Sequence, residues 1–108
     1  MVKIELNQSE QIDQLITESH VQPVAIFKHS TKCGISRFVL KDFESEMGNM
    51  DSSAFKYYYL DLIRYRSISD ELAERFSIRH ESPQLLVIKE GKIIHHSSHS
   101  EIRAGSIL

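Results

Sequence analysis

Hydrophobic positions along this chain follow two rhythms. Between Leu6 and His20 the apolar residues Ile12, Leu15 and Ile16 recur at helical spacing, with Asn7 or Ser9 available as a cap. Such a stripe predicts an amphipathic helix. After Gln22 and Pro23 the pattern becomes an unbroken run, Val24-Ala25-Ile26-Phe27. That run is apolar on both faces and rich in strand formers, so it predicts a buried strand from Pro23 to Lys28. Val39, Phe43 and Met47 restore the helical period and predict a helix from near Cys33 to a stop at Gly48-Asn49. Tyr57, Tyr58, Tyr59 and Leu60 predict a strand within Phe55 to Leu62, two of the tyrosines facing the core around an exposed one. Leu72, Ala73 and Phe76 mark a helix from Ile68 to Phe76 with Ser67 or Ser69 as cap. Leu85 to Ile88 form the heart of a strand from Gln84 to Lys89. Glu90-Gly91 turns it into Lys92 to His96, making a hairpin. Ser98 to Ile107 reads as a closing helix with Ile102 facing inward.

The first two strands are each followed by a helix, which implies crossovers and parallel pairing. The hairpin adds an antiparallel edge. The expected fold is α/β, a central four-stranded mixed sheet flanked by helices on both faces, in a single domain covering residues 1–108. A length of 108 residues with 41% hydrophobic and 26% charged residues suits one modest core. The formal net charge of -2 argues against nucleic-acid binding by bulk electrostatics. No apolar run approaches the roughly 20 residues of a membrane span. Met1 to Gln11 lacks the apolar core of a signal peptide, and a cytoplasmic location is expected.

Cys33 is the only cysteine. It cannot form an internal disulfide or a cysteine-rich zinc site within one chain. A single cysteine in a reducing compartment is often an inert core residue. The context here differs: Cys33 follows an all-apolar strand, stands where a helix begins, and lies in the polar string Ser30-Thr31-Lys32-Cys33-Gly34-Ile35-Ser36-Arg37. Free N–H groups and the helix dipole favour a thiolate there, helped by Lys32 and Arg37 where they turn inward. A thiolate is the species that attacks a disulfide. Ser36, three residues on, offers a hydroxyl to that thiolate and no second thiol, so the chemistry uses one thiol.

Pro83 precedes a strand, either as a simple entry proline or as a cis peptide after Ser82 that exposes backbone groups to an extended substrate. His29 and His80 fall in loops beside the cysteine. His95, His96 and His99 lack companion ligands, so no metal is expected. Asp61 is either a buried acid beneath the cysteine or a loop aspartate.

The Cys33-Gly34-Ile35-Ser36 site after a buried strand, the Ser82-Pro83 before a hairpin, and the final helix together resemble the thioredoxin superfamily. More narrowly, Thr31 to Ser36, Tyr59-Leu60-Asp61, Glu81-Ser82-Pro83-Gln84 and Ser98-His99 resemble the YtxJ family of monothiol bacilliredoxins over nearly the whole chain. That resemblance implies a thioredoxin-like fold and a monothiol thiol–disulfide oxidoreductase that removes bacillithiol, or a similar low-molecular-weight thiol, from protein mixed disulfides. Cys33 would attack, with Ser36 beside it. Thr31, Lys32, Gly34, Ser82, Pro83 and His99 would meet the substrate, Pro83 as the cis proline. The family's usual site has proline after the cysteine, where this chain has Gly34. The expected partners are S-thiolated cytoplasmic proteins and the low-molecular-weight thiol as co-substrate, with no bound cofactor, no nucleic acid and no membrane, and with the chain itself a monomer. The same four residues are also similar to monothiol glutaredoxins, which hold a 2Fe–2S cluster between subunits, although this chain lacks their tryptophan and paired glycines. A non-catalytic adaptor using the fold as a platform is the third reading.

Overall fold

A computed structural model describes residues 2–108. Its centre is a five-stranded sheet. The strands are β1 (Lys3–Glu5), β2 (Val24–His29), β3 (Lys56–Asp61), β4 (Gln84–Lys89) and β5 (Lys92–Ser98), in the spatial order β1-β3-β2-β4-β5. The helices are α1 (Glu10–Glu18), α2 (Gly34–Met47) and α3 (Arg66–Arg75). β1 and β2 both run parallel to β3, while β4 pairs antiparallel with β2 and with β5. The four strands expected from the sequence are the four on the β5 side of this order, and β1 extends the sheet beyond β3.

The all-apolar run in β2 is explained by its central place. Val24 and Ile26 point into one core with Ile12 and Leu15 of α1, Leu72 of α3, and Leu86 and Ile88 of β4. Ala25 and Phe27 point into the other with Phe43 and Met47 of α2, Leu85 and Val87 of β4, and Ile102 and Ile107 near the C-terminus. A strand covered on both faces has no polar side to show. Each fully buried Leu, Ile or Phe contributes about 1.5–3 kcal/mol, so these two layers hold the helices to the sheet. The same two-sided burial changes the tyrosine pattern: Tyr57 and Tyr58 are both buried, on opposite faces, and Tyr59 is half-buried.

Three elements depart from expectation. β1 carries a single apolar residue, Ile4, and no periodicity announces it. It exists because the β3 edge offers free backbone groups, and Leu6 extends the contact by donating its N–H to the Tyr59 carbonyl at 2.8 Å. The first helix accordingly begins at Glu10 rather than Leu6. Its entry is held by the Gln11 side chain, whose Oε1 accepts the N–H groups of Asn7 and Gln8. Ser9 donates its hydroxyl to Glu71 of α3 instead of capping.

The closing segment is not one helix but two 3-10 turns, His99–Glu101 and Ala104–Ile107, separated by extended residues Ile102 and Arg103. The break lets Ile102, Ala104 and Ile107 all reach the α2 core. Glu46 of α2 fixes it by accepting the Ala104 N–H at 2.8 Å. β4 spans Gln84–Lys89 as expected, and the turn after it uses left-handed backbone at both Glu90 (φ 53) and Gly91 (φ 77), the twist a tight hairpin needs.

Candidate active site

The parallel strand β2 and its antiparallel neighbour β4 bring two loops to one end of the sheet. β2 ends at His29, and the chain crosses Ser30, Thr31 and Lys32 to reach Cys33, the N-cap residue of α2. Cys33 has extended backbone (φ -111, ψ 121) and is partly exposed. Its N–H donates to the Ser30 carbonyl at 3.2 Å, and its carbonyl accepts the Arg37 N–H at 3.1 Å. These two bonds tie the cysteine to the loop before it and the helix after it. On the neighbouring strand Lys28 pairs with Gln84, so Pro83 stands beside the end of β2. The Ser82-Pro83 peptide is cis. Pro83 is buried and Ser82 half-buried. His99 lies beyond them, exposed, with its N–H bonded to the Pro83 carbonyl at 3.1 Å.

The surround of Cys33 is polar and cationic on one side and apolar on the other. Thr31, Lys32 and Gly34 are exposed. The Arg37 guanidinium folds back to donate to the Thr31 carbonyl at 3.2 Å. It lies over Gly34, where a Cβ would meet Nη2 at 3.8 Å, an ordinary contact. Ile35 and Phe38 on the outer face of α2 are 69% and 73% exposed. With Val39, Ile102 and Arg103 they border a groove of about 260 Å³. A larger cavity of about 400 Å³ lies at the opposite end of the sheet, between Val2, Gln22, Ser53 and Lys56, and includes none of these residues.

Ser36 is brought to the site but is wholly buried. Its Oγ lies 2.8 Å from His29 Nδ1 and accepts the Ser30 N–H at 3.1 Å. His29 is thus part of the site, at a strand end rather than in a loop, with its ring tilted against Tyr59 at 5.8 Å between centroids. Burial pushes its imidazole below the usual histidine range; Asp61 opposes that shift, and Lys3 and Arg37 reinforce it. His80 instead turns to α3, where Nδ1 lies 3.3 Å from the Ser69 hydroxyl. Asp61 takes the loop role: its Oδ1 accepts the N–H groups of Ile63 and Arg64. Among the described residues no group of three or more His, Cys, Asp or Glu side chains is placed to hold a metal ion. None of the described helices is long and apolar enough to cross a membrane.

The sequence profile of the monothiol bacilliredoxins, BrxC, matches residues 4–107. The chain belongs to the BrxC family of monothiol bacilliredoxins. Its fold agrees. A solved protein described as having a thioredoxin fold superposes on this bacilliredoxin with a TM-score of 0.82 at 29% identity, over 98% of this chain and 90% of that one. The thioredoxin of Malassezia sympodialis gives a TM-score of 0.75 at 17% identity, over 99% of this chain and 84% of its own. The thioredoxin of Trypanosoma brucei brucei gives 0.75 at 13% identity, over 98% and 84%. The bacilliredoxin is a thiol–disulfide oxidoreductase with one thiol to work with.

One buried polar residue near the bacilliredoxin site escaped sequence reasoning. Lys28, in β2, is fully buried against α3, with Nζ 3.4 Å from the Ser69 carbonyl. Its position, fifth in an otherwise apolar run, carries no sign in the sequence of which way the side chain lies. Only the coverage of both sheet faces reveals the burial.

Proposed function

We propose that Cys33 takes up bacillithiol from mixed disulfides on cytoplasmic proteins. The Cys33 thiolate attacks the bacillithiol sulfur of the client disulfide. A Cys33–bacillithiol disulfide forms, and the client cysteine leaves as a thiolate. A second bacillithiol then attacks the adduct, regenerating Cys33 and leaving oxidised bacillithiol. No resolving thiol exists within the chain, so the second step is intermolecular.

The observation that carries this reading is the placement of the single, partly exposed thiol at the N-cap of α2, at the sheet end where Ser82 and Pro83 lie. The helix start supplies N–H groups and a dipole that favour a thiolate. Thr31, Lys32 and Gly34 flank the sulfur on the exposed side and would meet the leaving client and the incoming thiol. The Ser82 backbone would pair with an extended client segment along the sheet end, and His99 would border its far side. Ser36 supports the site from beneath.

Intact mass spectrometry after mixing with oxidised bacillithiol, and separately with oxidised glutathione, tests the proposal. Wild type should gain one bacillithiol adduct, and Cys33→Ser none. Preference for glutathione would change the thiol while keeping the site. Absence of an adduct from either disulfide would sink the enzymatic role of Cys33.

A further inference from the structure

Between α3 and β4 the chain passes through Ile78 to Pro83 and carries Ser82 and Pro83 to the site. At its start the Ile78 N–H bonds to the Ala73 carbonyl at 3.0 Å, and at its end the Pro83 carbonyl accepts the His99 N–H at 3.1 Å. Among the described residues, Arg79, His80, Glu81 and Ser82 make no hydrogen bond from main chain to main chain. A loop built this way relies on side chains for its place. Two of them hold it from the side that α3 covers. His80 Nδ1 lies 3.3 Å from the Ser69 hydroxyl of α3. Gln84, the first residue of β4, donates from Nε2 to the Arg79 carbonyl at 3.0 Å and closes the mouth of the loop.

Stability does not explain a glutamine at this position. Gln84 is buried on the same face of β4 as Leu86 and Ile88. A carbonyl can only accept, so the amide nitrogen must face Arg79 and the amide oxygen turns away. That oxygen is buried without a hydrogen-bond partner among the described residues. An acceptor buried unpaired costs at least as much as one hydrogen bond contributes. An apolar side chain would fill the space as Leu86 and Ile88 fill theirs. What the glutamine adds is a fixed separation between Arg79 and the Ser82-Pro83 step.

We propose that Gln84 is a positioning residue for client docking: its bond to the Arg79 carbonyl holds the Arg79–Ser82 loop, and with it the Ser82 backbone that an extended client segment would meet. The inference rests on the proposed function, in which the client lies against Ser82. Gln84 is itself buried and acts through the loop. Released from that bond, the loop would sample several positions, and a client would bind only the competent fraction, with a weaker apparent affinity.

Gln84→Met tests this, because it keeps the length of the side chain and removes the donor. The probe is a short extended peptide whose one cysteine is in mixed disulfide with bacillithiol. Its KM should rise by roughly two- to tenfold in the variant, the factor that one lost hydrogen bond gives, with kcat little changed. Alkylation of Cys33 by iodoacetamide, which has no segment to dock, should keep its wild-type rate. Backbone amide order parameters at Glu81 and Ser82 should be near the rigid value of about 0.85 in wild type and fall toward about 0.6 in the variant. The urea midpoint should stay level or rise. An unchanged KM, or order parameters alike in the two proteins, overturns the proposal. Slower alkylation, a lower urea midpoint or a variant that fails to fold overturns it too, since Gln84 would then support the whole domain rather than the loop. A wild type that alkylates but takes no bacillithiol from the peptide would instead sink the proposed function, and the order parameters would still decide whether Gln84 holds the loop.

Discussion

Lys28 and Gln84 stand opposite one another across the antiparallel β2–β4 pair, two polar side chains sharing a face otherwise filled by Ile26, Leu86 and Ile88. Gln84 donates to the Arg79 carbonyl at 3.0 Å, and its Oε1 has no protein partner. Lys28 reaches only the Ser69 carbonyl, at 3.4 Å. Burial drives its ammonium down from 10.5 to about 8, with Asp70 opposing the shift.

Lys28→Met should therefore stabilise the protein at neutral pH by roughly 1–3 kcal/mol, because a buried charge with one long hydrogen bond is replaced by an apolar side chain of similar length. The pH dependence has a definite sign. Between about 8 and 10.5 the unfolded chain holds the lysine proton and the folded chain releases it, so wild-type stability rises with pH through that window. The mutant should lose that rise. Urea denaturation at a few pH values from 7 up to about 9.5, below the tyrosine range, checks both expectations; a mutant less stable than wild type at pH 7 refutes them.

His80 is pushed below the usual imidazole range, mainly by burial and then by Lys28 and Arg66, while Asp70 and Glu81 oppose this. A depressed histidine lets the unfolded chain bind its proton first as pH falls. Stability should decline from about pH 6.5 downward. His80→Gln, which retains a partner for the Ser69 hydroxyl, should flatten part of that decline. Denaturant midpoints at about pH 7 and about pH 5.5 give the answer, and equal losses in both proteins would exclude His80 as a source.

Phe43 holds α2 to the sheet, its ring 5.0 Å from Phe27 and 5.8 Å from Tyr57 between centroids. Phe43→Ala should cost about 3–5 kcal/mol. Because α2 carries Cys33 at its start, the truncation should also raise hydrogen exchange at the α2 amides more than at those of α1. Uniform exchange across both helices would mean that the two cores do not loosen separately.

The hairpin turn offers a paired test of backbone conformation. Gly91 has φ +77, and a Cβ there would meet the His20 side chain only at ordinary distance. Gly91→Ala should therefore destabilise by about 1 kcal/mol through backbone strain alone. Gly105→Ala, where an added Cβ meets nothing within 4 Å, should be near neutral. Equal effects in thermal melts would contradict this account.

Local pattern determined the elements from Val24 through the β4–β5 hairpin. An apolar run such as Val24 to Phe27 can only be a doubly covered strand or a buried helix segment, and the β-branched residues and the flanking Pro23 choose the strand. A lone cysteine after that strand, at a helix start, marks the candidate site by its position in the chain alone. What pattern could not supply depends on neighbours distant in the chain. β1 forms because the β3 edge was free. The C-terminal helix breaks because Glu46 of α2 captures the Ala104 amide. Lys28 is buried because α3 covers its face. The partner of Ser36 followed the same rule: spacing placed the hydroxyl near Cys33, but the packed fold set His29 against it at 2.8 Å. A hydroxyl out of water bonds to the nearest polar atom, and only the tertiary structure says which atom that is.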